Sequence, residues 1–199
     1  ISDGLEYRNF ITIGVLVKKL EIKNNTILKS YKNRVPDQWT YIQDKEVKLG
    51  RLQIFNNWSP YLVNDYKNTV WLGLEYFCDE NDNMWNMPND EFIKFALKEL
   101  EQIGIIKMNN IIDSCLVKVP KAYPGYFGTY KNFDVIKNFI NKYENLFLIG
   151  RNGMHKYNNM DDSMLTAITA VDNIINGITT KDNIWAVNTE SDYHENKNN

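Results

Sequence analysis

The sequence predicts an α+β fold, with an antiparallel-rich mixed sheet and flanking helices followed by a short C-terminal α/β segment. Three observations predict it: β-branched apolar runs dominate the part before residue 120, two segments have amphipathic helix patterns, and an apolar tetrapeptide precedes a long apolar helix. Hydrophobic residues make up 43% of the 199 residues, enough for one large or two small domains. We expect domains at 1–128 and 129–199, with the join near 120–130.

Strand signals occur at five places before residue 120. Residues 9–20 are β-branched and apolar, and residues 39–43 and 48–55 form a predicted hairpin around a short polar turn. The runs 69–78 and 111–119 are the other two, the last of them ending at a proline. One face of the 48–55 strand mixes polar and apolar groups, which is typical of a ligand-facing surface, and comprises Leu49, Arg51, Gln53 and Phe55.

Two amphipathic helices are predicted beside this sheet, at 89–103 and 133–143. In the first, Asn89 is a suitable N-cap and Gly104 a suitable C-terminal stop. Apolar residues recur at helical spacing in both segments, so each helix should bury one face. The predicted inward residues are Phe92, Ile93, Ala96, Leu97, Leu100 and Ile103 in the first helix, and Val135, Ile136, Phe139 and Ile140 in the second.

The C-terminal segment is a predicted strand, loop and helix. Residues 146–149 are fully apolar, as in a strand buried on both faces of a parallel sheet. A polar loop rich in Asn and Gly follows, and the helix 161–176 ends at Gly177. The tail beyond it is polar, and we expect it to fray after His194.

Composition excludes several classes of function. The formal net charge of −2 does not favour a nucleic-acid partner, and no apolar run approaches the roughly 20 residues that cross a bilayer. Cys78 and Cys115 lie in strand-like segments, which favours two reduced core thiols in a cytoplasmic protein over a disulfide. Neither His155 nor His194 has a partner at metal-ligand spacing, so no metal site is predicted.

The loop before the last helix is the candidate site. Backbone N–H groups at the turn 158–161 could face an anion or an electron-rich group, helped by the partial positive charge of a helix N-terminus. Gly153 would allow this loop to approach a ligand closely. From spacing alone, an ordinary strand–loop–helix connection with an Asn/Asp cap is the better explanation of the pattern.

Two motifs resemble those of known flavoenzymes. Gly150-Arg151, Tyr157 and Asn159-Met160-Asp161 resemble the Gly-Arg … Tyr-x-Asp-Met-Asp pattern of UDP-galactopyranose mutases. The segment 117–126 resembles a Val-x-Arg … Ala-x-Pro-x-Tyr segment of amine-oxidase and protoporphyrinogen-oxidase relatives. Nearly the whole chain is similar to the C-terminal half of bacterial FAD-dependent oxidoreductases that are associated with surface-polysaccharide (lipopolysaccharide) synthesis.

The resemblance implies roles for particular residues. Those implied to contact FAD are Gly150, Arg151, Asn152, Gly153, Asn159, Met160 and Asp161. Those implied to contact substrate are Tyr157, Arg51 and Tyr126, and no catalytic residue is assigned. Two positions depart from the family pattern: Asn159 replaces an Asp, and Lys118 replaces an Arg and so loses the bidentate guanidinium fork.

The family's dinucleotide-binding fingerprint is absent from this sequence. Such enzymes hold the FAD pyrophosphate at a G-x-G-x-x-G turn, whereas no two of the ten glycines here are separated by a single residue. We therefore expect the chain to be the C-terminal part of a longer protein, and FAD to be bound by the full-length protein rather than by this part. The helix within 146–176 should then expose an apolar face, leading to a homodimer or to a disordered loop near 151–160.

Three functions follow as expectations. The first is an FAD-dependent oxidoreductase that transfers a hydride from a small molecule, plausibly a nucleotide-sugar. The second is a mutase-type isomerase, which uses the flavin without net redox change. The third is a sugar- or nucleotide-binding module that needs no flavin.

Two further side chains, one in the sheet and one in the polar loop, have competing interpretations. A carboxylate at Glu75, among aromatic residues, would be costly unless it is paired, and Arg51 is its predicted structural partner. His155 could contact the flavin ring, or it could be a capping or surface histidine.

Overall fold

The computed structural model describes residues 1–188, and its centre is a five-stranded sheet. The strands are β1 (Tyr7–Val17), β2 (Trp39–Tyr41), β3 (Arg51–Ile54), β4 (Val70–Cys78) and β5 (Ile111–Pro124), in the order β2-β3-β4-β1-β5. The pairs β2–β3, β3–β4 and β1–β4 are antiparallel. The predicted α+β class and the predicted hairpin are thus confirmed. His194 and the rest of the tail lie outside the described residues.

Seven α-helices accompany the sheet within residues 1–188. They are α1 (Phe55–Trp58), α2 (Asn83–Asn86), α3 (Asn89–Gln102), α4 (Phe133–Ile140), α5 (Gly150–Met154), α6 (Met160–Ile175) and α7 (Asp182–Trp185). None of the helices in this range is long and apolar enough to cross a bilayer.

The chain divides into two compact units. One comprises residues 9–120, with most of the sheet and α1–α3, and the other comprises residues 1–8 together with 121–199. The boundaries fall inside β1 and β5. The domain division predicted at 1–128 and 129–199 stays a prediction.

The core of the 9–120 unit forms where alternate strand residues face α3. Ile11, Ile13 and Val15 of β1 have no solvent exposure, because every second side chain of a strand points to the same face. Leu72 and Leu74 of β4 are equally buried. From α3, this core takes Phe92, Ala96, Leu97 and Leu100, as the helical spacing predicts.

The second unit has a smaller core. Met154, Ala170, Ile184 and Trp185 are buried together, with Phe133, Phe147 and Leu148 packed against them. Two predicted inward residues of α4, Val135 and Phe139, are instead 56% and 53% exposed. The amphipathic pattern located a helix there correctly, but of its predicted inward residues only Ile136 and Ile140 are partly buried.

The strand predicted at 146–149 is wrong for the described structure. Ile149 is extended (φ −132°, ψ 157°), but this segment pairs with no strand of residues 1–188. A strand needs a neighbour to receive its N–H and C=O groups, and sequence periodicity does not reveal whether one is present. The side chains of Leu146 and Ile149 are 40% and 41% exposed, which is typical of surface residues and not of a buried strand.

Three smaller predictions were also wrong. The N-cap of α3 is Pro88, and Asn89 is the first helical residue. β5 runs through Pro120 to Pro124, because its later part continues beside the N-terminal residues. Cys115 is exposed, whereas Cys78 is a buried thiol whose pKa burial raises to about 11; both cysteines are free, as predicted.

Candidate functional site

The candidate site is the turn between α5 and α6, which lies within the 121–199 unit. Gly150 opens α5 with a positive φ of 70°, a conformation that favours glycine, and its N–H donates to Thr166 Oγ1 over 3.0 Å. Gly153 has no such requirement, because a Cβ there would meet Leu148 at an ordinary 3.6 Å. The glycine that the local backbone requires is therefore Gly150, and a close approach of a ligand at Gly153 stays a prediction.

Arg151 holds the turn in place. Its Nε donates to the carbonyl of Asn158 over 2.8 Å and its Nη1 to the carbonyl of Ala122 over 3.3 Å. The guanidinium carbon lies 5.0 Å from the ring centre of Tyr123 and 4.8 Å from that of Tyr157, and these two rings are stacked. Cation–π and hydrogen-bond contacts thus fix the segment 157–158 against 122–123. Arg151 is a positioning residue here, and its predicted contact with FAD is untested.

Tyr157 and its neighbours are fixed by a second set of hydrogen bonds. The Tyr157 N–H donates to the hydroxyl of Tyr126 over 2.6 Å. The side-chain amide of Asn188 donates to the carbonyl of Tyr157 and to the side-chain oxygen of Asn158, over 3.1 and 3.0 Å. The predicted pair Tyr126 and Tyr157 is therefore in direct contact. Sequence analysis included Asn158 only for its backbone and did not include Asn188. Their side-chain roles were missed because a buried asparagine cannot be told from a surface one in sequence.

Lys156 is a cation that sequence analysis gave no role. Its Nζ donates to the carbonyls of Trp185 and Asn188, at the C-terminal end of α7. Burial, and secondarily the charge of Lys137, lowers the pKa of the Lys156 ammonium. The carbonyl-rich end of a helix favours a cation, so this contact joins the end of the described chain to the turn.

The N-terminus of α6 offers free donors. Asp162 Oδ2 accepts the N–H of the N-cap residue Asn159 over 3.3 Å. The N–H groups of Met160 and Asp161 have no acceptor among residues 1–188, and both residues are exposed. A 16-residue helix adds about half a positive charge at this end.

This donor set suits a particular kind of acceptor. The carboxylate of Asp161 stands at the same helix end, so a multiply charged phosphate would be repelled there. A carbonyl edge that is neutral, or that carries a single delocalised charge, is repelled much less and can accept from both free N–H groups. The N1/C2=O edge of a flavin ring has this character, and the residues present therefore fit the ring better than the pyrophosphate of FAD.

His155 lies beneath the turn rather than at the surface. It adopts a left-handed conformation (φ 50°) as the C-cap of α5 and is 1% exposed. Its Nε2 lies 2.9 Å from the carbonyl of Gly125, and the ring of Tyr7 meets it edge-on. The expected capping position is confirmed, and the expected surface location is wrong. Its Nδ1 is buried without a partner in the described part of the chain, as in a neutral imidazole.

We expect His155 to make stability depend on pH. Burial lowers the pKa of its imidazole, although the Gly125 carbonyl opposes the shift. Since the unfolded chain then takes up a proton at a higher pH than the folded one, this contribution is complete above about pH 6.5 and is lost as the pH falls below it. The check is urea unfolding at several pH values, comparing the wild type with His155→Asn.

The matched control for this experiment is His194→Asn, because the chain has two histidines. The acid-dependent loss should shrink in His155→Asn and persist in His194→Asn. An unchanged pH dependence in His155→Asn would contradict the assignment.

Arg51 belongs to the 9–120 unit, whereas the other predicted site residues belong to the 121–199 unit. It is 2% exposed, and its Nε donates to Glu75 Oε2, as the sequence predicted for a structural pair. Its role in substrate binding stays a prediction. The 121–199 unit contains the predicted residues Gly150 to Gly153, Tyr126, Tyr157 and Asn159 to Asp161.

The α6 helix has its apolar face outward. Thr166, Ala170 and Asn173 are its buried residues. The exposed stripe, at helical spacing and 52–84% exposed, comprises Met160, Met164, Ile168, Val171 and Ile175. A helix at a protein–water boundary normally buries such a stripe, so this arrangement is the reverse of the usual one. The expectation of an uncovered apolar face is confirmed.

Comparison with solved structures shows the fold to which this chain is similar. A reduced UDP-galactopyranose mutase matches 94% of the chain with a TM-score of 0.69 and 18% identity. A protein described as a protoporphyrinogen oxidase, from Exiguobacterium sp. 255-15, matches 86% with a TM-score of 0.60 and 12% identity. The chain spans 38% and 35% of these proteins. No protein-family model matches it, and neither does any curated protein.

Proposed function

We propose that this chain is the C-terminal part of a cytoplasmic FAD-dependent oxidoreductase. Its substrate in this proposal is a small molecule, a nucleotide-sugar used in surface-polysaccharide synthesis. The observation that carries the proposal is the pair of free N–H donors of Met160 and Asp161, which lie within the segment that resembles a flavin-contacting motif. The fold similarity to the two solved structures supports it.

The uncovered surfaces support a larger protein. The outward stripe of α6 and the unpaired extended segment 146–149 both need a covering layer. A nucleotide-binding part that contributes a neighbouring strand would pair with this segment and bury the stripe. Such a part explains both features at once.

In this proposal the chain supplies one wall of the flavin site. FAD would supply hydride-accepting or nucleophilic chemistry when bound. The free N–H groups of Met160 and Asp161 would donate to the N1/C2=O edge, where negative charge gathers on reduction. Arg151 and Asn188 keep the turn in place, so these donors need little reorganisation. Tyr157 and Tyr126 would meet the substrate.

A mutase-type isomerase is the second candidate. It shares the fold and the Tyr157 position, and the similarity in fold to a UDP-galactopyranose mutase favours it. Asn159 stands where the mutase motif has an Asp, so a negative charge next to the donors is missing. For this reason the mutase function is the second candidate. The third candidate, a flavin-independent binding module, leaves the outward stripe of α6 without an explanation.

The test uses proline, which removes a backbone N–H, at the first position of α6. Met160→Pro should be tolerated because proline suits the first helical turn and because this N–H has no acceptor within residues 1–188. In the protein expressed from the complete coding sequence, we expect about tenfold weaker flavin binding, or an equivalent loss of stabilisation of the reduced flavin. Flavin affinity and reduction potential are the measurements.

Met160→Ala is the control, since it removes the same side chain and keeps the N–H. Similar flavin affinities of Met160→Pro and Met160→Ala would show that the Met160 N–H does not donate to the flavin. A complete coding sequence without an upstream G-x-G-x-x-G turn, or a full-length protein without flavin, would instead remove the proposed function.

A further inference from the structure

A strongly basic cleft lies within the 9–120 unit. Its volume is about 530 Å³, and its walls come from residues 18–20, 22–23, 31–34 and 67–70. Six basic residues line it, and no carboxylate does: Lys18, Lys19, Lys23, Lys32, Arg34 and Lys67. The cleft shares no residue with the turn at 150–162.

This concentration of charge contrasts with the rest of the chain. The whole sequence carries 23 basic and 25 acidic residues, yet six of the basic ones line one cleft. Glu21 lies nearby and contacts Lys19 at 3.8 Å and Lys107 at 3.7 Å, so it offsets part of one charge only. The carboxylate of Asp65 is also close, because it accepts hydrogen bonds from the lining residue Asn68. Six positive groups with only these two acids beside them still repel one another, and an anion in the cleft would relieve that repulsion.

The cleft wall formed by residues 31–34 is held in a defined conformation. Lys32 and Asn33 both adopt left-handed conformations, with φ of 51° and 55°. The N–H of Asn24 donates to the carbonyl of Asn33 over 3.1 Å, and Lys32 Nζ donates to the carbonyl of Lys67 over 2.8 Å. Two successive strained residues persist only where surrounding contacts hold them, and such strain is typical of functional sites.

Arg34 is the buried cation of the cleft. It is 9% exposed, and its Nη2 donates to the carbonyl of Tyr66 over 3.3 Å, with its guanidinium 5.1 Å from that ring. Among residues 1–188, no carboxylate forms an ion pair with it. A buried guanidinium normally has an anionic partner, and its planar fork suits phosphate oxygens in particular.

We propose that this cleft binds a soluble small molecule that carries a pyrophosphate group. Its volume lies in the range of small-molecule sites, roughly 300–1,000 Å³. Six cations exceed what a single phosphate can neutralise, which favours at least two phosphate groups. Tyr31, 38% exposed on the wall, can pack against the remainder of such a ligand.

The experiment titrates inorganic pyrophosphate into the full chain by calorimetry. We expect saturable binding that is tighter than for orthophosphate and weakens as salt is added. The double variant Lys18→Gln/Lys23→Gln removes two exposed lysines of the cleft and should weaken binding about tenfold. Lys45→Gln/Lys94→Gln changes the net charge equally at exposed positions outside the cleft and should have little effect.

Three outcomes would overturn the proposal. They are the absence of saturable pyrophosphate binding, an equal loss in both double variants, and binding to vesicles of anionic lipid without binding to pyrophosphate. Unfolding by urea confirms that each variant keeps its fold. The result does not depend on flavin, so it stands or falls separately from the proposed function.

Discussion

Replacing Arg51 by Met should destabilise the protein by about 3–5 kcal/mol, because it leaves the Glu75 carboxylate buried without its cation. Arg51 and Glu75 lie directly opposite each other on β3 and β4, and they are 2% and 4% exposed. Gln53 donates to the other carboxylate oxygen of Glu75. The rings of Trp39 and Phe77 lie 4.9 and 4.7 Å from the guanidinium carbon, so water has little access to the pair.

The double variant Arg51→Met/Glu75→Met tests the same pair without leaving a lone charge. A buried ion pair replaced by apolar side chains of similar volume often costs little stability, so we expect the double variant to recover most of the loss. Urea denaturation of the wild type, both single variants and the double variant provides the coupling energy. Additive effects of the two single changes would show that the pair is not coupled.

The same double variant also addresses the substrate role predicted for Arg51. In the full-length protein, a folded double variant with unchanged substrate affinity would limit Arg51 to a structural role. Lost affinity in a protein of normal stability would support the binding role.

Replacing Glu99 by Leu should cost about 3 kcal/mol of stability, because it leaves three donors without their acceptor, two of them buried. Glu99 lies on α3 and is 5% exposed. Its carboxylate accepts from the N–H groups of Lys48 and Leu49 and from the hydroxyl of Tyr76. It thereby joins α3 to the segment before β3 and to β4. Burial, and secondarily the charge of Glu99, raises the pKa of the Tyr76 hydroxyl, which remains a donor.

Lys98→Ala is the control for Glu99→Leu, since Lys98 is the exposed neighbour on the same helix and should change stability by less than about 0.5 kcal/mol. Tyr76→Phe should cost less than Glu99→Leu, because it removes one of the three hydrogen bonds. Equal midpoints of urea unfolding for Glu99→Leu and the wild type would show that the carboxylate contributes nothing.

Local pattern was sufficient for the sheet and for α3. Ile11, Ile13 and Val15 alternate in sequence as they alternate in burial, and Gly104 ends α3 with a positive φ. The partnership of Arg51 and Glu75 was also predictable, because a carboxylate among aromatic residues needs a cation. The conformation of the segment 146–149 was not predictable, since a strand forms only where a neighbouring strand accepts its hydrogen bonds.

At the candidate site, the sequence predicted the turn and the cap of α6 but not the long-range contacts that hold the turn in place. Asn159 and Asp162 form the cap that their spacing suggests. The contacts of Arg151 with Ala122 and of Asn188 with Tyr157 join residues about thirty positions apart. Such separations leave no periodic trace in a single sequence, because they depend on how the intervening segments pack.

The amino-acid sequence by itself determined the elements that depend on neighbouring residues: alternating strands, amphipathic helices, the glycine stop of α3 and the resemblance of residues 150–161 to a flavoenzyme motif. Only the tertiary structure decided which faces and charges are left without partners. It turned the apolar stripe of α6 outward and buried His155. It also gathered six basic residues around one cleft: Lys18, Lys19, Lys23, Lys32, Arg34 and Lys67. The physical reason is that burial and charge clustering depend on contacts between distant segments, whereas helix and strand patterns depend on residues one to four positions apart.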